Sequence, residues 1–517
     1  MVFANKFHKG VFYFFAVMLS LYISYIGYLA HSKIFISLLD TLISLVVFIC
    51  IASVTYFLLI KLCKQFAKRT TLATLSKKTF SNLFFWSSFG ISFALLGIAL
   101  FAHYPGSISY DAYNQWMQAS TGLYNNWHPV FHTWLISLII RFVPSYAVVI
   151  LIQIICFSLS LAVLLSTLYR YNISAKLLLV LQIFMVLSPA TSNQLLYLWK
   201  DNAMTCGMLL LFSFATDIYF TKGAWLKKYC NASLLGIVLT YLVYIRHNAI
   251  LASGMFFVWI VICFWNYRKG LFITLFTALL TAFLIQGVLF SQLDIIYPDN
   301  KYEESVGLPM ILLANQKQQD DSKLSVDANK FLATLATDQQ WQNTYKKNDY
   351  NSIKFTYFRE YIKHTEPMLI WKLALETANA NPRLAFETFN DVTDLVWGID
   401  GENVSIEDLS ARSYLGIKPP SDIKFAQFAR KIQSIFYIFY NLPPVKYLTL
   451  NFGVHLLLLF IVTLLALYKK GIRALIFAMP LLAYHFATML LLCGNDARFF
   501  GFTMVVSLPA CLVLLKN

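Results

Sequence analysis

Charge is scarce in this chain, and negative charge scarcest of all. Of 517 residues only 13% are Asp, Glu, Lys or Arg, about half the ~25% of an ordinary soluble domain. Twenty of the 25 acidic residues fall between positions 291 and 446, so the rest of the sequence holds just five carboxylates: Asp40, Asp111, Asp201, Asp217 and Asp496. Cysteine is missing from 291–446 altogether; the eight cysteines (50, 63, 156, 206, 230, 263, 493 and 511) lie in or beside apolar runs. That excludes a disulfide framework or a cysteine metal site in the polar region. The sequence also lacks a P-loop, a dinucleotide-binding fingerprint and a GxSxG nucleophile elbow.

Apolar runs are abundant. Hydrophobic residues make up 58% of the chain and mean hydropathy is +0.62. Several runs reach the ~20 residues that cross a ~30 Å hydrocarbon core. A β-barrel is excluded, because its strands alternate apolar with polar residues. The expected fold class is therefore an all-α polytopic membrane protein. About twelve spans are expected, near 11–31, 35–60, 82–102, 147–169, 176–196, 202–220, 229–247, 249–266, 271–290, 447–468, 473–492 and 499–515. The N-terminal run from Val11 to Ala30 is too long for the apolar part of a signal peptide and reads as an anchor.

The net charge of +16 is a topology signal and not a sign of nucleic-acid binding. Residues 291–446 carry 17 basic against 20 acidic residues. The other basic residues gather in short connectors: Lys6/Lys9, Lys61–Lys78, Arg170/Lys176, Lys222/Lys227/Lys228, Arg268/Lys269 and Lys469/Lys470/Arg473. Basic loops face the cytoplasm, so both termini are expected there and 291–446 outside. This holds only if the run 129–143 does not cross, and its ~15 residues with His132 and Arg141 read as a helix lying along the outer interface. Four regions result: 1–81, two spans and a basic loop; 82–290, a membrane module with an outer loop at 103–146; 291–446, an extracytoplasmic region of short amphipathic helices; and 447–517, three further spans.

Under this topology three acids sit at outer ends of spans, in "SYDAYNQ", "YLWKDNA" and "CGNDARFF". Ionisable residues at such depths mark functional sites. Lys200–Asp201 and Asp496–Arg498 also read as interfacial ion pairs that anchor helix ends. Asp111 has no basic neighbour in sequence. After the helix-breaking Pro105–Gly106, a serine caps a new helix, with Asp111, Asn114, Gln115 and Gln118 on one face and Tyr110, Tyr113 and Met117 on another. The pattern suggests that the aromatics point into the membrane and that the carboxylate and amides face an arriving ligand. Lys200, Arg246 and Arg498 are the outer cations suited to a phosphate. His128 and His132 are spaced i, i+4, but without the HExxH glutamate they do not make a metal motif.

"YPGSISYDAYNQWMQASTGLYNNWHPVFHTW", "SPATSNQLLYLWKDNAM", "YIRHNAI", "EESVGLPM" and "NDARFFGF", in this order, resemble a group of bacterial membrane glycosyltransferases of the GT-C fold. The resemblance covers about residues 80–515, leaving the first two spans as an addition. It implies an enzyme of the bacterial inner membrane that moves a sugar from a polyprenyl-phosphate carrier to an extracytoplasmic acceptor (a surface glycan, a glycolipid or a protein such as pilin). It implies Asp111 as the general base and Asp201 as a second catalytic acid, with Lys200, Arg246 and Arg498 around the donor phosphate. Glu303 or Glu304 would add an acid from the outer region, and His128, His132, Gln115 and Asp496 would complete the pocket. The chain lacks the DxD or second adjacent acid of some relatives, which argues against a divalent-cation cofactor; no other cofactor is implied. Two other readings stand beside this one. A transporter or flippase for lipid-linked sugars would call for midplane charges and repeats, which are absent. A polysaccharide polymerase or ligase with a lipid-pyrophosphate donor is chemically close.

Overall fold

The computed structural model describes residues 6–32, 34–69, 79, 81–298, 301–320, 322–356, 361–362, 364–399, 424–492 and 496–516. Lys77, Lys78 and Asn495 of the sequence motifs lie outside the described residues. The chain is an all-α polytopic membrane protein. Its helices are α1 (Lys6–Gly27), α2 (Leu38–Arg69), α3 (Asn82–Ala102), α4 (Tyr110–Thr121), α5 (Val130–Phe142), α6 (Tyr146–Arg170), α7 (Ala175–Leu187), α8 (Pro189–Ser192), α9 (Lys200–Phe220), α10 (Tyr229–Ile245), α11 (Ala249–Phe264) and α12 (Arg268–Phe283). The segment 291–450, called the outer region for its expected placement, contributes α13 (Gly307–Lys317), α14 (Val326–Leu335), α15 (Asp338–Thr344), α16 (Asn351–Lys354), α17 (Pro367–Ala380), α18 (Pro382–Trp397), α19 (Lys424–Tyr440) and α20 (Pro443–Leu450). Helices α21 (Phe452–Lys470), α22 (Ala478–Met489) and α23 (Phe502–Leu515) close the chain.

Among the described residues eight helical runs suffice by length and composition to cross a membrane, or nine if α7 and the segment Ala190–Leu196, bent by 64°, form one broken span. The single run Ala249–Gln292 doubles back on itself. Thr274 donates to Ala232 O, while Thr240 and Tyr244 donate to Ala278 O and Ala282 O, so α12 runs parallel to α10. The turn at Trp265–Tyr267 between α11 and α12 sits beside the turn that precedes α10, where Gly223 meets Tyr267 and Gly270 meets Leu226 O. The α10–α12 contact is close because Gly236 has no side chain; a Cβ there would fall 2.5 Å from Thr274 O. Helix α5 has 13 residues, about 20 Å of rise, and is separated from α6 by a non-helical turn.

The connectors sort to two ends of the bundle. At one end His8 approaches Gly471, Lys470 pairs with Lys516 O, Lys516 donates to Asn172 O, Trp259 donates to Ile472 O and Arg170 binds Asp217. The basic turns before α10 and α12 join this group. At the other end the outer region packs on the bundle. Tyr22 donates to Trp397 O, Tyr25 pairs with Asn390, and Arg430 of α19 donates to Ala102 O at the end of α3. A two-strand parallel ribbon, β1 (Tyr124–Asn125) with β2 (Ile295–Ile296), joins the loop after α4 to the start of the outer region.

Reporter fusions at Lys222 and Lys516 are therefore expected to report the same side of the membrane, and a fusion at Gln340 the opposite side. Agreement of Gln340 with the other two would refute the two-ended arrangement.

Candidate active site

The site begins with two irregular chain segments, 103–109 and 193–199, at the end of the bundle under the outer region. Away from water, backbone groups outside helices need internal partners. Ser107 N–H donates to Leu196 O, and the Tyr146 hydroxyl donates to Ser107 O while accepting from Leu198 N–H. Gln153 donates to Leu195 O and Tyr197 O, and Asn202 to Gln194 O and Tyr197 O. Gly106 takes φ +115°, and a Cβ there would fall 3.0 Å from Leu196 O. The chain can therefore turn tightly against its partner segment only with glycine at this position.

From this base α4 starts at Ser109, whose hydroxyl accepts from Ala112 N–H and from the Trp199 indole. Asp111 lies in the first turn of α4 and Asp201 in the first turn of α9, where helix dipoles favour negative charge. The third segment is the turn Ala497–Phe500, held by the Tyr484 hydroxyl on Phe499 O. Gly501 lets that turn approach Gln194 closely.

Arg498 bridges two acids: Nη1 lies 2.7 Å from Asp111 Oδ2 and Nε lies 2.8 Å from Asp496 Oδ2. Asp111 also has His128 Nε2 at 3.7 Å from Oδ1. Lys200 Nζ is 3.0 Å from His128 Nδ1. Lys200 and Asp201 are sequence neighbours but are not partners. Asp201 instead forms an ion pair with Arg246, and the two side chains are only 4% and 5% exposed. The Arg246 and Arg498 guanidinium groups both lie over the Phe499 ring, at 4.4 and 5.3 Å, and Arg498 also lies over Trp199 at 5.2 Å.

Two expectations about α4 need correction. Gln115 and Gln118 do not face an incoming ligand; both are buried. Gln115 binds His132 Nδ1 and Thr133 Oγ1, each at 3.1 Å, while Gln118 binds Asn114 and the Asn125 N–H. A buried amide needs partners; α5 supplies those of Gln115, and Asn114 with the loop after α4 supplies those of Gln118. Tyr110 and Met117 are exposed, and Tyr110 meets Phe355 of the outer region. Glu303 is buried. Glu304 pairs with Lys354, whose ammonium lies over Trp127 and Phe355. Trp199, Phe499 and Lys354 were not singled out by sequence reasoning. The first two stand inside quoted motifs; Lys354 is 50 residues from Glu304 and has no local signal.

Burial alone would raise the Asp111 pKa. The Arg498 charge, with His128 and Lys200 beside it, outweighs burial and holds the carboxyl well below the usual carboxylate range. Burial and then Lys200 push His128 well down, and the same causes bring His132 to about 3. The arrangement is thus an ionised carboxylate between a guanidinium and a neutral imidazole, with the Lys200 nitrogen behind the imidazole. Among the described residues no group of three or more His, Cys, Asp or Glu is arranged to hold a metal ion. In comparisons with known proteins, no family model, curated protein or solved structure matches the chain.

Two stability predictions follow from this geometry. Removing one partner of a buried pair costs about 3–5 kcal/mol, so Asp201→Asn is expected to lower the thermal midpoint in detergent strongly. Asp111→Asn, at a carboxylate that is 26% exposed, is expected to lower it far less; equal losses would contradict the contrast. For His132 the folded-state value lies below the ordinary 6.5, so between about 6.5 and 3 the unfolded chain binds the proton and the folded chain does not. Its contribution is complete above pH 6.5 and declines on acidification by ~1.4 kcal/mol per pH unit. Unfolding midpoints measured from pH 7 to 5 should fall less steeply in His132→Gln; an unchanged slope would refute this.

Proposed function

We propose that this chain is an inverting glycosyltransferase of the bacterial inner membrane, with about twelve crossings, both termini in the cytoplasm and the site facing outward. It would move a sugar from a polyprenyl-phosphate carrier to an extracytoplasmic acceptor. The observation that carries the reading is Asp111: a partly exposed carboxylate at the lipid–water end of the bundle, set against Arg498 and a His128–Lys200 pair. A proton acceptor and cations for a phosphate thereby meet where a lipid-borne donor and a water-borne acceptor would meet.

In the reaction the acceptor hydroxyl oxygen forms a bond to the anomeric carbon, on the face opposite the carrier. Its proton passes to Asp111. The bond from that carbon to the phosphate oxygen breaks, and the electron pair leaves with the phosphate, so the anomeric configuration inverts. Arg498 and Lys200 offset the charge gained by the departing group through preorganised electrostatics. Arg498 holds Asp111 at rest, which keeps the carboxylate a weak base. A donor phosphate competes for that guanidinium, and its arrival raises the basicity of Asp111 as the substrate is seated. Arg246, closed on Asp201, packs on the Phe499 ring that also carries Arg498, and so positions Arg498 while Asp201 fixes Arg246. His128 stands beside Asp111 and orients it.

The test is the release of polyprenyl phosphate from a panel of polyprenyl-phosphate hexoses by the purified chain in liposomes. Asp111→Asn keeps size and polarity but cannot take the proton, and loss of a general base lowers turnover by roughly 10²–10⁴-fold. Donor affinity should rise, because the phosphate no longer competes with the Asp111 carboxylate for Arg498. Turnover by Asp111→Asn within a few-fold of the parent chain, or no donor cleavage by the parent chain on any donor, would overturn the reading.

A further inference from the structure

Beside Asp111 stand two exposed rings that nothing in the reaction so far uses. Tyr110 is 69% exposed and Phe355 is 57% exposed. They come from different parts of the chain, α4 and the end of α16 in the outer region. Their centroids are 6.4 Å apart with the planes inclined at 56°, so they form an open, angled surface and not a closed stack.

Phe355 is held in place from behind. The Lys354 side chain is 5% exposed and its ammonium pairs with Glu304. That ammonium lies 4.8 Å from the Phe355 ring centroid and 5.1 Å from that of Trp127. Trp127 directly precedes His128, so the contacts that fix Phe355 also brace the loop that carries the Asp111 partner. The β1–β2 ribbon ties the same loop to the outer region a few residues earlier.

We infer that the acceptor is an uncharged carbohydrate, and that a pyranose ring of it seats on Tyr110 and Phe355 with a hydroxyl directed to Asp111. This inference rests on the transferase reading of Asp111. Aromatic faces carry negative charge density, and the C–H groups on one face of a pyranose, polarised by their oxygens, are attracted to it. The hydroxyls around the sugar's edge need polar partners, which the Asp111 and Glu304 carboxylates supply; these are 26% and 38% exposed. The same two carboxylates disfavour other occupants. Among the described residues an anionic ligand would find no free cation at the rings, since the Lys354 cation is already neutralised by Glu304. A hydrocarbon tail would strip water from carboxylates without replacing their hydrogen bonds.

The experiment is saturation-transfer NMR on the full chain in detergent, with methyl glucoside, galactoside, mannoside and N-acetylglucosaminide as probes and sorbitol as a linear-polyol control. At least one glycoside should receive saturation on the C–H protons of one face, and sorbitol none. Tyr110→Ala and Phe355→Ala should reduce that signal to the blank. Phe355→Tyr, which keeps a ring, should retain it, as should Trp265→Ala, which removes an exposed ring at the opposite end of the bundle. No saturation of any glycoside, or full signal in both alanine variants, would overturn the platform. The readout needs no donor cleavage, so it separates from the transferase test. Saturation in a chain that cleaves no donor would refute the transferase alone, and cleavage without saturation would refute the platform alone.

Discussion

The requirement that every backbone polar group away from water find a partner inside the protein governs this molecule. Helices meet it by themselves. A reactive site cannot be built only from unbroken helices, because charged side chains must be brought to one point from several directions. Here the chain departs from helix at 103–109 and 193–199, and Tyr146, Gln153 and Asn202 provide the hydrogen bonds the backbone gives up. Each of these side chains reaches from a helix that carries no other part of the site or, for Asn202, from the turn that carries Lys200 and Asp201. The positions of Asp111, Lys200 and Asp201 depend on that scaffold.

The charges then divide into two groups with different physics. Asp201 and Arg246 are almost fully enclosed and form an ion pair with each other. A pair of this kind contributes little net stability compared with apolar residues, because the cost of removing both ions from water offsets their attraction. Its effect is geometric: it sets the Arg246 guanidinium on one ring, Phe499, that Arg498 also uses. Arg498, Asp111 and Asp496 form the open group. One guanidinium serves two carboxylates, and Asp111 retains access to solvent. A ligand can displace contacts in an open group at modest cost, whereas the closed pair resists displacement.

Much of the fold was legible in the sequence because hydropathy and basic connectors are local signals. The reversal between α11 and α12 was marked by Arg268 and Lys269, and the amphipathic run "PRLAFETFNDVTDLVW" corresponds to α18, Pro382–Trp397. Asp111 stood out through the scarcity of acids. The orientation of α4 was not legible: its helical wheel has a polar and an aromatic face, and only the positions of His132, Thr133 and Asn125 determine that Gln115 and Gln118 turn inward. The pairing of charges was also hidden. Asp201 has Lys200 as its neighbour yet joins Arg246 from the end of α10, and Lys200 turns to His128. Such choices depend on where helix ends meet, which no local pattern encodes.

The outer region follows from the same logic. Asp111 keeps partial access to solvent between Arg498 and His128, and the stretch 104–134 that carries it is tied down from two sides. The outer region braces that loop through the β1–β2 ribbon and through the Lys354–Glu304 pair against Trp127. An ammonium enclosed between aromatic rings and a carboxylate is worth more than an exposed one, because less water competes for it. The brace reaches the Asp111 partner His128 through Trp127, and the Arg246–Asp201 pair reaches Arg498 through Phe499, so the bundle sets the carboxylate's charge environment while the cap holds its loop. Separating these two tasks allows the approach to change through the cap's exposed residues without disturbing the buried charges beneath.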